Sequence, residues 1–309
     1  MHSRLAFWRV ALVGLALSTA VGCGGDDAPA DSDAGTSDLP VLSTGTITNP
    51  AEGTPDYACL GSRTRPAPGD LVTTTFELRD FESEAPVGNV RVWLFPDNDV
   101  RDACDGTCTE LLTGADGNAS AMLPANGWYA YRVLPRAGAT AVMTVVDSLQ
   151  YNEPAPAEGG RSVTGNSVSE GTLRLIPAVL GIDRQPGTGV LAGTISDCNE
   201  TPVYGARVRA FDGDTEIEMG TAARTPQYRY FNGDSFPSDI GTHTHVDGLY
   251  VGIQIPADRL VRVEAWGRPD EGPERRIGCE AVRVLANAVT IVNIEPLRSD
   301  YEAGHPCAE

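Results

Sequence analysis

The sequence predicts an all-β fold: two tandem antiparallel Greek-key β-sandwich domains behind a disordered tether. Three observations predict it. Apolar and polar residues alternate with period two, and Gly, Pro and Asp-Gly pairs punctuate the chain at short intervals. One ten-residue pattern also occurs twice, as PVGNVRVWLF at 86–95 and PVYGARVRAF at 202–211. No long stretch repeats apolar residues at helical spacing.

The first residues read as a secretory signal over 1–22. Arg4 and Arg9 precede an apolar run at 10–20, and the small residues Ala20-Val21-Gly22 lead into Cys23. The run is shorter than the roughly 20 residues of a spanning helix. Small residues before a Cys resemble the bacterial lipobox, with Ala20 where that motif prefers Leu. The resemblance implies that Cys23 is lipidated and anchors the chain to a membrane, each buried acyl CH₂ contributing about 0.8 kcal/mol. An ordinary signal with a chance Cys is the competing reading. Gly24 stands where Asp favours inner-membrane retention, which points to the outer membrane of a Gram-negative cell envelope. Residues 23–55 are rich in Gly, Ala, Pro, Ser and Asp, too polar to offset their ordering entropy, and are expected to form a disordered acidic tether.

Every one of the 23 basic residues is Arg, a composition that fits high-GC coding bias. The net charge is −19, and removal of 1–22 takes away two Arg and no acid, leaving −21. Such a surface repels phosphate backbones, so nucleic acid is excluded as a partner. Beyond Cys23 there are six Cys: Cys59, Cys104, Cys108, Cys198, Cys279 and Cys307. An even number in an exported chain predicts disulfides, although six Cys allow 15 pairings. Nearness in sequence suggests Cys104–Cys108. Cys198–Cys279 would tie early to late strands of the second copy, and Cys59–Cys307 follows by remainder. Pairing of Cys59 with Cys104 or Cys108 stays open.

The repeat sets the domain boundaries: a first sandwich at 56–182, a second at 188–297, and a tail at 298–309. Asp183–Gly189, with Pro186, is the linker. In the first copy an alternating strand (Val72, Thr74, Phe76, Leu78) precedes the pattern, and the turn Asp116-Gly117 follows it. In the second copy the corresponding features are Leu191, Gly193, Ile195 and Asp247-Gly248. Further strands are expected at Tyr129–Leu134 and Val261–Trp266, with 173–182 as a strand ending in a short helical turn. The order of strand, Pro-Val pattern, variable loop, Asp-Gly and strand ending in Pro resembles carboxypeptidase regulatory-like domains. That resemblance implies a prealbumin-like (transthyretin-like) sandwich acting as a non-catalytic accessory or surface module.

Few residues suggest chemistry. His243-Thr244-His245 with Asp247 places three possible ligands on one strand face, suited to Fe or Zn. Intradiol dioxygenases have a related sandwich and use a His-x-His pair with two Tyr, and Tyr228, Tyr230 and Tyr250 lie nearby. Here the His pair precedes the Gly-x-Tyr strand rather than following it, and Asp247 is already explained by its turn. The acidic loop Asp97-Asn98-Asp99, Asp102 and Asp105 has the oxygen ligands that Ca²⁺ takes, without the Gly and terminal Glu of the EF-hand. A solvated loop is the plainer reading. Trp93, Trp128, Tyr129 and Tyr131 suit a sugar-stacking platform or strand packing. The absence of Lys removes Lys-based mechanisms. The function expected is therefore a non-catalytic lipoprotein whose modules bind a protein or glycan partner, or act structurally. A metal-dependent enzyme centred on His243 and His245 is the alternative.

Overall fold

In a computed structural model of the chain, residues 39–44, 53–220 and 224–308 are described. The expected signal segment 1–22, Cys23 and most of the tether lie outside them. Alternating apolar residues build the strands almost throughout. A short strand β1 (Ser43–Thr44) precedes the first sandwich. That sandwich contains β2 (Leu71–Asp80), β3 (Arg91–Phe95), β4 (Thr109–Leu112), β5 (Asn118–Pro124) and β6 (Trp128–Val133). A small hairpin follows, β7 (Arg136–Ala137) and β8 (Met143–Val145), then β9 (Ser148–Pro154) and β10 (Ser162–Ser167). Helix α1 (Glu170–Val179) leads into the second copy. There the strands are β11 (Thr188–Thr194), β12 (Val203–Tyr204), β13 (Arg207–Asp212), β14 (Thr215–Glu216) and β15 (Gln227–Phe231). Strands β16 (Pro237–Ser238), β17 (Leu249–Pro256), β18 (Arg259–Gly267), β19 (Arg275–Val284) and β20 (Val289–Val292) complete it.

The two copies share one pairing diagram. Strand β2 pairs antiparallel with β5 and parallel with β10, and β11 pairs antiparallel with β17 and parallel with β20. In the opposing sheets, β3 pairs with β4 and β6, and β6 with β9; likewise β13 pairs with β14 and β18, and β18 with β19. The Asp-Gly turns also correspond. Gly117 (φ 81°) and Gly248 (φ 63°) accept from the N–H groups of Leu78 and Ile195 respectively. A Cβ at either glycine would lie 2.7 or 2.5 Å from the carbonyl oxygen of that same residue, so only Gly fits. The parallel pairings depart from an all-antiparallel expectation, because each copy's last strand returns alongside its first in the same direction.

One further pairing joins the copies. Strand β20 runs parallel to β9, making a nine-stranded sheet in the order β16-β15-β17-β11-β20-β9-β6-β3-β4. The smaller sheets lie on opposite faces of it. The three-stranded sheet β10-β2-β5 packs Phe76, Leu78 and Leu123 against Leu94, Tyr131 and Val133. The four-stranded sheet β14-β13-β18-β19 packs Val208, Val263 and Val282 against Leu191, Tyr250 and Val292 on the other face. Leu149 and Tyr151 of β9 belong to this second core, so the first copy supplies side chains to its neighbour's interior.

Several expectations are corrected. Residues 39–44, placed in the disordered tether, pack against the second copy, with a two-residue strand at Ser43–Thr44. Leu39 and Leu42 are buried, β1 pairs with β12, and the Leu42 N–H donates to the Arg268 carbonyl. Residues 173–182 are mostly helix rather than strand. Ser169 caps α1 by accepting from the Thr172 N–H, and the apolar residues Leu173, Ile176, Pro177 and Leu180 follow helical spacing. Disulfides join Cys59–Cys198, Cys104–Cys108 and Cys279–Cys307. Cys198 and Cys279 do not meet, because Cys198 sits in the turn after β11 while Cys279 lies within β19, in another sheet. Instead Cys198 holds the strap ahead of β2, where Asp197 also accepts from the Asp56 N–H, and Cys307 folds the tail over β19 beside Leu297. Disulfides of this number belong to an oxidising, extracytoplasmic compartment. Among the described residues no helix is long and apolar enough to cross a membrane.

Candidate functional site

The staggered layers leave a corner. Where the three-stranded sheet ends, one face of the nine-stranded sheet continues under α1, forming a groove of about 290 Å³. Its floor is set by register. Ile253, Val190 and Val289 form one rung, and Val251, Ala192, Ile291 and Gln150 the next. Leu173, Ile176 and Pro177 of α1 wall the apolar end. Thr194, Asn293, Asn152 and Glu295 line the other end, with Asp197 and Asp247 at the rim. The groove is thus apolar under the helix and acidic at its mouth.

A β-bulge places a carboxylate in it. Between β6 and β9, Tyr131 faces Gln150 but Tyr129 faces Glu153, so β9 carries one extra residue. Asn152 takes the left-handed conformation there (φ 65°), which Asn adopts at little cost. Without the extra residue Glu153 would point into the opposite core; with it, Glu153 shares the groove face with Gln150. The bulge is held from all sides. The Asn152 N–H donates to Asn98 Oδ1 at 2.8 Å, Asn152 Oδ1 accepts from Asn98 Nδ2 and an Arg65 Nη, and Asn152 Nδ2 donates to the Asn293 carbonyl.

The orientation of Glu153 follows from a chain of hydrogen bonds. Tyr131 accepts from the Asn166 N–H and its hydroxyl donates to Gln150 Oε1 at 3.0 Å. The Gln150 amide therefore turns Nε2 towards Glu153, whose Oε1 accepts at 2.6 Å. Among the described residues no Arg pairs with this half-buried carboxylate. Burial pushes its pKa up to about 7, which the Gln150 hydrogen bond only partly offsets. Glu295 is treated differently: Arg63 lies 3.1 Å away and Arg65 3.8 Å, although burial still raises its pKa.

The residues singled out from the sequence lie elsewhere. Thr244 is buried between His243 and His245, and its role repeats that of Thr113 in the first copy. Thr113 Oγ1 donates to the Val87 carbonyl and accepts from the Val90 N–H, while Thr244 Oγ1 donates to the Val203 carbonyl and accepts from the Ala206 N–H. The histidines thus flank a structural Thr, at the positions of Leu112 and Gly114. Both rings pack edge-on against Tyr204, with centroids 4.8 and 5.9 Å from it. Asp247 accepts from Ser235 Oγ and the Leu249 N–H, as a turn residue does. Burial lowers the His245 pKa, opposed by Asp247. Tyr228, Tyr230 and Tyr250 are buried in the second core.

In the acidic loop, Asp97 and Asp99 pair with Arg101, Asp102 with Arg283, and Asp105 accepts from Thr107. Among the described residues no three His, Cys, Asp or Glu side chains converge as a metal site. Tyr129 and Tyr131 are buried, and Trp93 stacks on Arg132 and donates to Glu110. Trp128 alone of the four aromatics lines the groove, with the Arg65 guanidinium 4.5 Å from its ring centre. Sequence reasoning missed Gln150, Asn152 and Glu153. The polar residues Gln150, Asn152 and Glu153 clustered in one short strand were the available signal.

No family model matches the chain, and no curated protein matches it. Solved structures similar to it score low. The shaft pilin SpaA from Lactobacillus rhamnosus GG is 11% identical over 74% of this chain and 98% of that one, with a TM-score of 0.22. The Bacillus anthracis TIE protein is 13% identical over 74% of this chain and 34% of that one, also at 0.22. A 9R-lipoxygenase from Cyanothece is 15% identical over 34% of this chain and 18% of that one, at 0.19. No functional argument rests on likeness at this level.

Proposed function

We propose that this chain is a lipid-anchored, non-catalytic binding protein of the cell envelope, held by Cys23 and using the corner groove as its binding face. The observation that carries the reading is the groove itself: a preformed concavity of about 290 Å³, mostly apolar, with a few polar groups fixed at one end. The near-lipobox and acidic tether support display outside the cytoplasm, at the outer membrane. The repeated pairing diagram supports the resemblance to carboxypeptidase regulatory-like modules, which are commonly non-catalytic. An apolar floor favours an apolar ligand over a glycan, since Tyr129 and Tyr131 are unavailable for stacking on a sugar.

The test uses the full chain carrying Cys23→Ser, titrated with the neutral apolar dye Nile red. One saturable site is expected. Ala192→Trp, which fills the groove floor, should weaken binding at least tenfold with the melting temperature retained. No saturable binding, or binding indifferent to Ala192→Trp, contradicts the reading. Anchoring has its own readout: Cys23→Ser should abolish fatty-acid labelling, and persistent labelling would overturn it.

A further inference from the structure

Glu153 has no structural work to do as a charge. It is half-buried, faces the groove, and receives one hydrogen bond from Gln150 while no cation among the described residues neutralises it. Nearby carboxylates have other partners: Glu295 lies beside Arg63 and Arg65, Glu280 pairs with Arg65, and Asp247 and Asp197 accept from turn N–H groups. Desolvating a lone carboxylate is costly, and an apolar side chain or Gln would fill the place without that cost. A bulge spends a backbone irregularity to aim it, and bulges concentrate where a strand re-aims a side chain.

We infer that the groove selects small amphipathic cations, the apolar body lying over Ala192, Ile291 and Val251 beneath α1 and a protonated amine pairing with Glu153. The inference rests on the groove being the binding face and names the ligand class it takes. The complementarity is one of charge: Glu84, Glu153, Glu200, Glu295, Asp197 and Asp247 line the cavity, and Arg63 is the one basic residue among its lining groups. An anionic amphiphile of the same length meets the same floor and a repelling head site.

The probe is octylammonium, with octanoate and 1-octanol as comparators, titrated into the full chain carrying Cys23→Ser. At pH 8.5 octylammonium should bind at least tenfold tighter than 1-octanol, and octanoate weaker than both. Glu153→Gln should remove the preference for the cation, octylammonium then binding no tighter than 1-octanol. A pH series adds an independent readout. The groups facing Glu153 are Tyr129, Tyr131 and Trp128 of β6, Gln150 and Asn152 of β9, and Asn166 of β10, with Glu84, Glu295 and the Arg63–Arg65 strap on the surrounding walls. Tyr129 and Tyr131 stay neutral, their hydroxyls pushed up by burial. An alkylammonium stays protonated below about pH 10, as Lys does. Affinity should therefore fall by up to about 30-fold between pH 8.5 and 5.5, as Glu153 takes up its proton. That dependence should flatten in Glu153→Gln. Equal affinity for octylammonium and 1-octanol overturns cation selection and leaves the groove reading standing. No binding of any of the three probes overturns both.

Discussion

The two sandwiches follow the same pairing diagram, down to the Asp-Gly turns and the buried Thr113 and Thr244, yet meet the joint sheet differently. In the first, β3, β6 and β9 receive the three-stranded sheet on the face that carries Leu94 and Tyr131. In the second, that same face of β11, β17 and β20 receives α1 with the flanking Val146, Val168 and Ile182, which bury Val190, Ile253 and Val289 and leave Ala192, Leu249 and Ile291 half exposed. A joint made through strand pairing offsets the two cores to opposite faces, and the offset creates a concavity that neither sandwich has alone. The bulge at Asn152, the groove and the Arg63–Arg65 network all lie along this joint.

The largest expected effect comes from the strap that crosses it. Replacing Cys59 and Cys198 with Ser opens a loop spanning 139 residues and should cost about 3–5 kcal/mol of stability, read as a lowered denaturant midpoint. Non-reducing peptide mapping that returns Cys198–Cys279 instead would refute this arrangement. Next come two buried leucines. Leu123→Ala empties the first core and Leu149→Ala, though on a first-copy strand, empties the second, each costing about 2–5 kcal/mol. With the sheet continuous, both variants should still melt in one transition. Separate melting of the first sandwich in Leu123→Ala would break the picture of a cooperative joint.

A smaller effect sharpens the comparison within the groove. The folded-state pKa of Glu153, about 7, is raised above its ordinary value of 4.5, so the fold disfavours the charged form. Stability from this group is fully present below about pH 4.5 and is lost as the pH rises through 7. Glu153→Gln should therefore stabilise the protein by about 1–3 kcal/mol at pH 8 and hardly at all at pH 4. Thermal melts at the two pH values read this, and equal effects at both would contradict it. The smallest effect concerns His243 and His245. Changing both to Ala should cost about 1 kcal/mol or less, because each is half-buried and its ring packs edge-on against Tyr204. About one equivalent of iron or zinc, lost in this double variant, would instead favour the metal-enzyme alternative.

Much of the fold was legible because its signals are local. Period-two alternation marks β2 and β17, Asp-Gly marks the turns, and the ten-residue repeat marks the two copies. The site was not legible, because it depends on pairing between the copies. Nothing in Ser148–Pro154 announces that β9 will find β20, nor that Asn152 will be the extra residue opposite Tyr129–Tyr131. The His-x-His pattern misled for a related reason: Thr244 between the histidines carries the structural role, and only the correspondence with Thr113 reveals it. Helix α1 was obscured by Pro177 near its end, where Leu180 and Gly181 N–H groups still close the last turn.

The groove as a cation-selective binding face is tested most directly by amide and methyl NMR of the Cys23→Ser chain titrated with octylammonium. Saturable shift changes should concentrate on Gln150, Glu153, Ala192, Val251 and Ile291, and the Glu153 carboxyl carbon should report a lowered pKa in the bound state. Shifts centred instead on His243–His245 or Asp97–Asp105, with the β9 and β11 signals unmoved, would contradict the account.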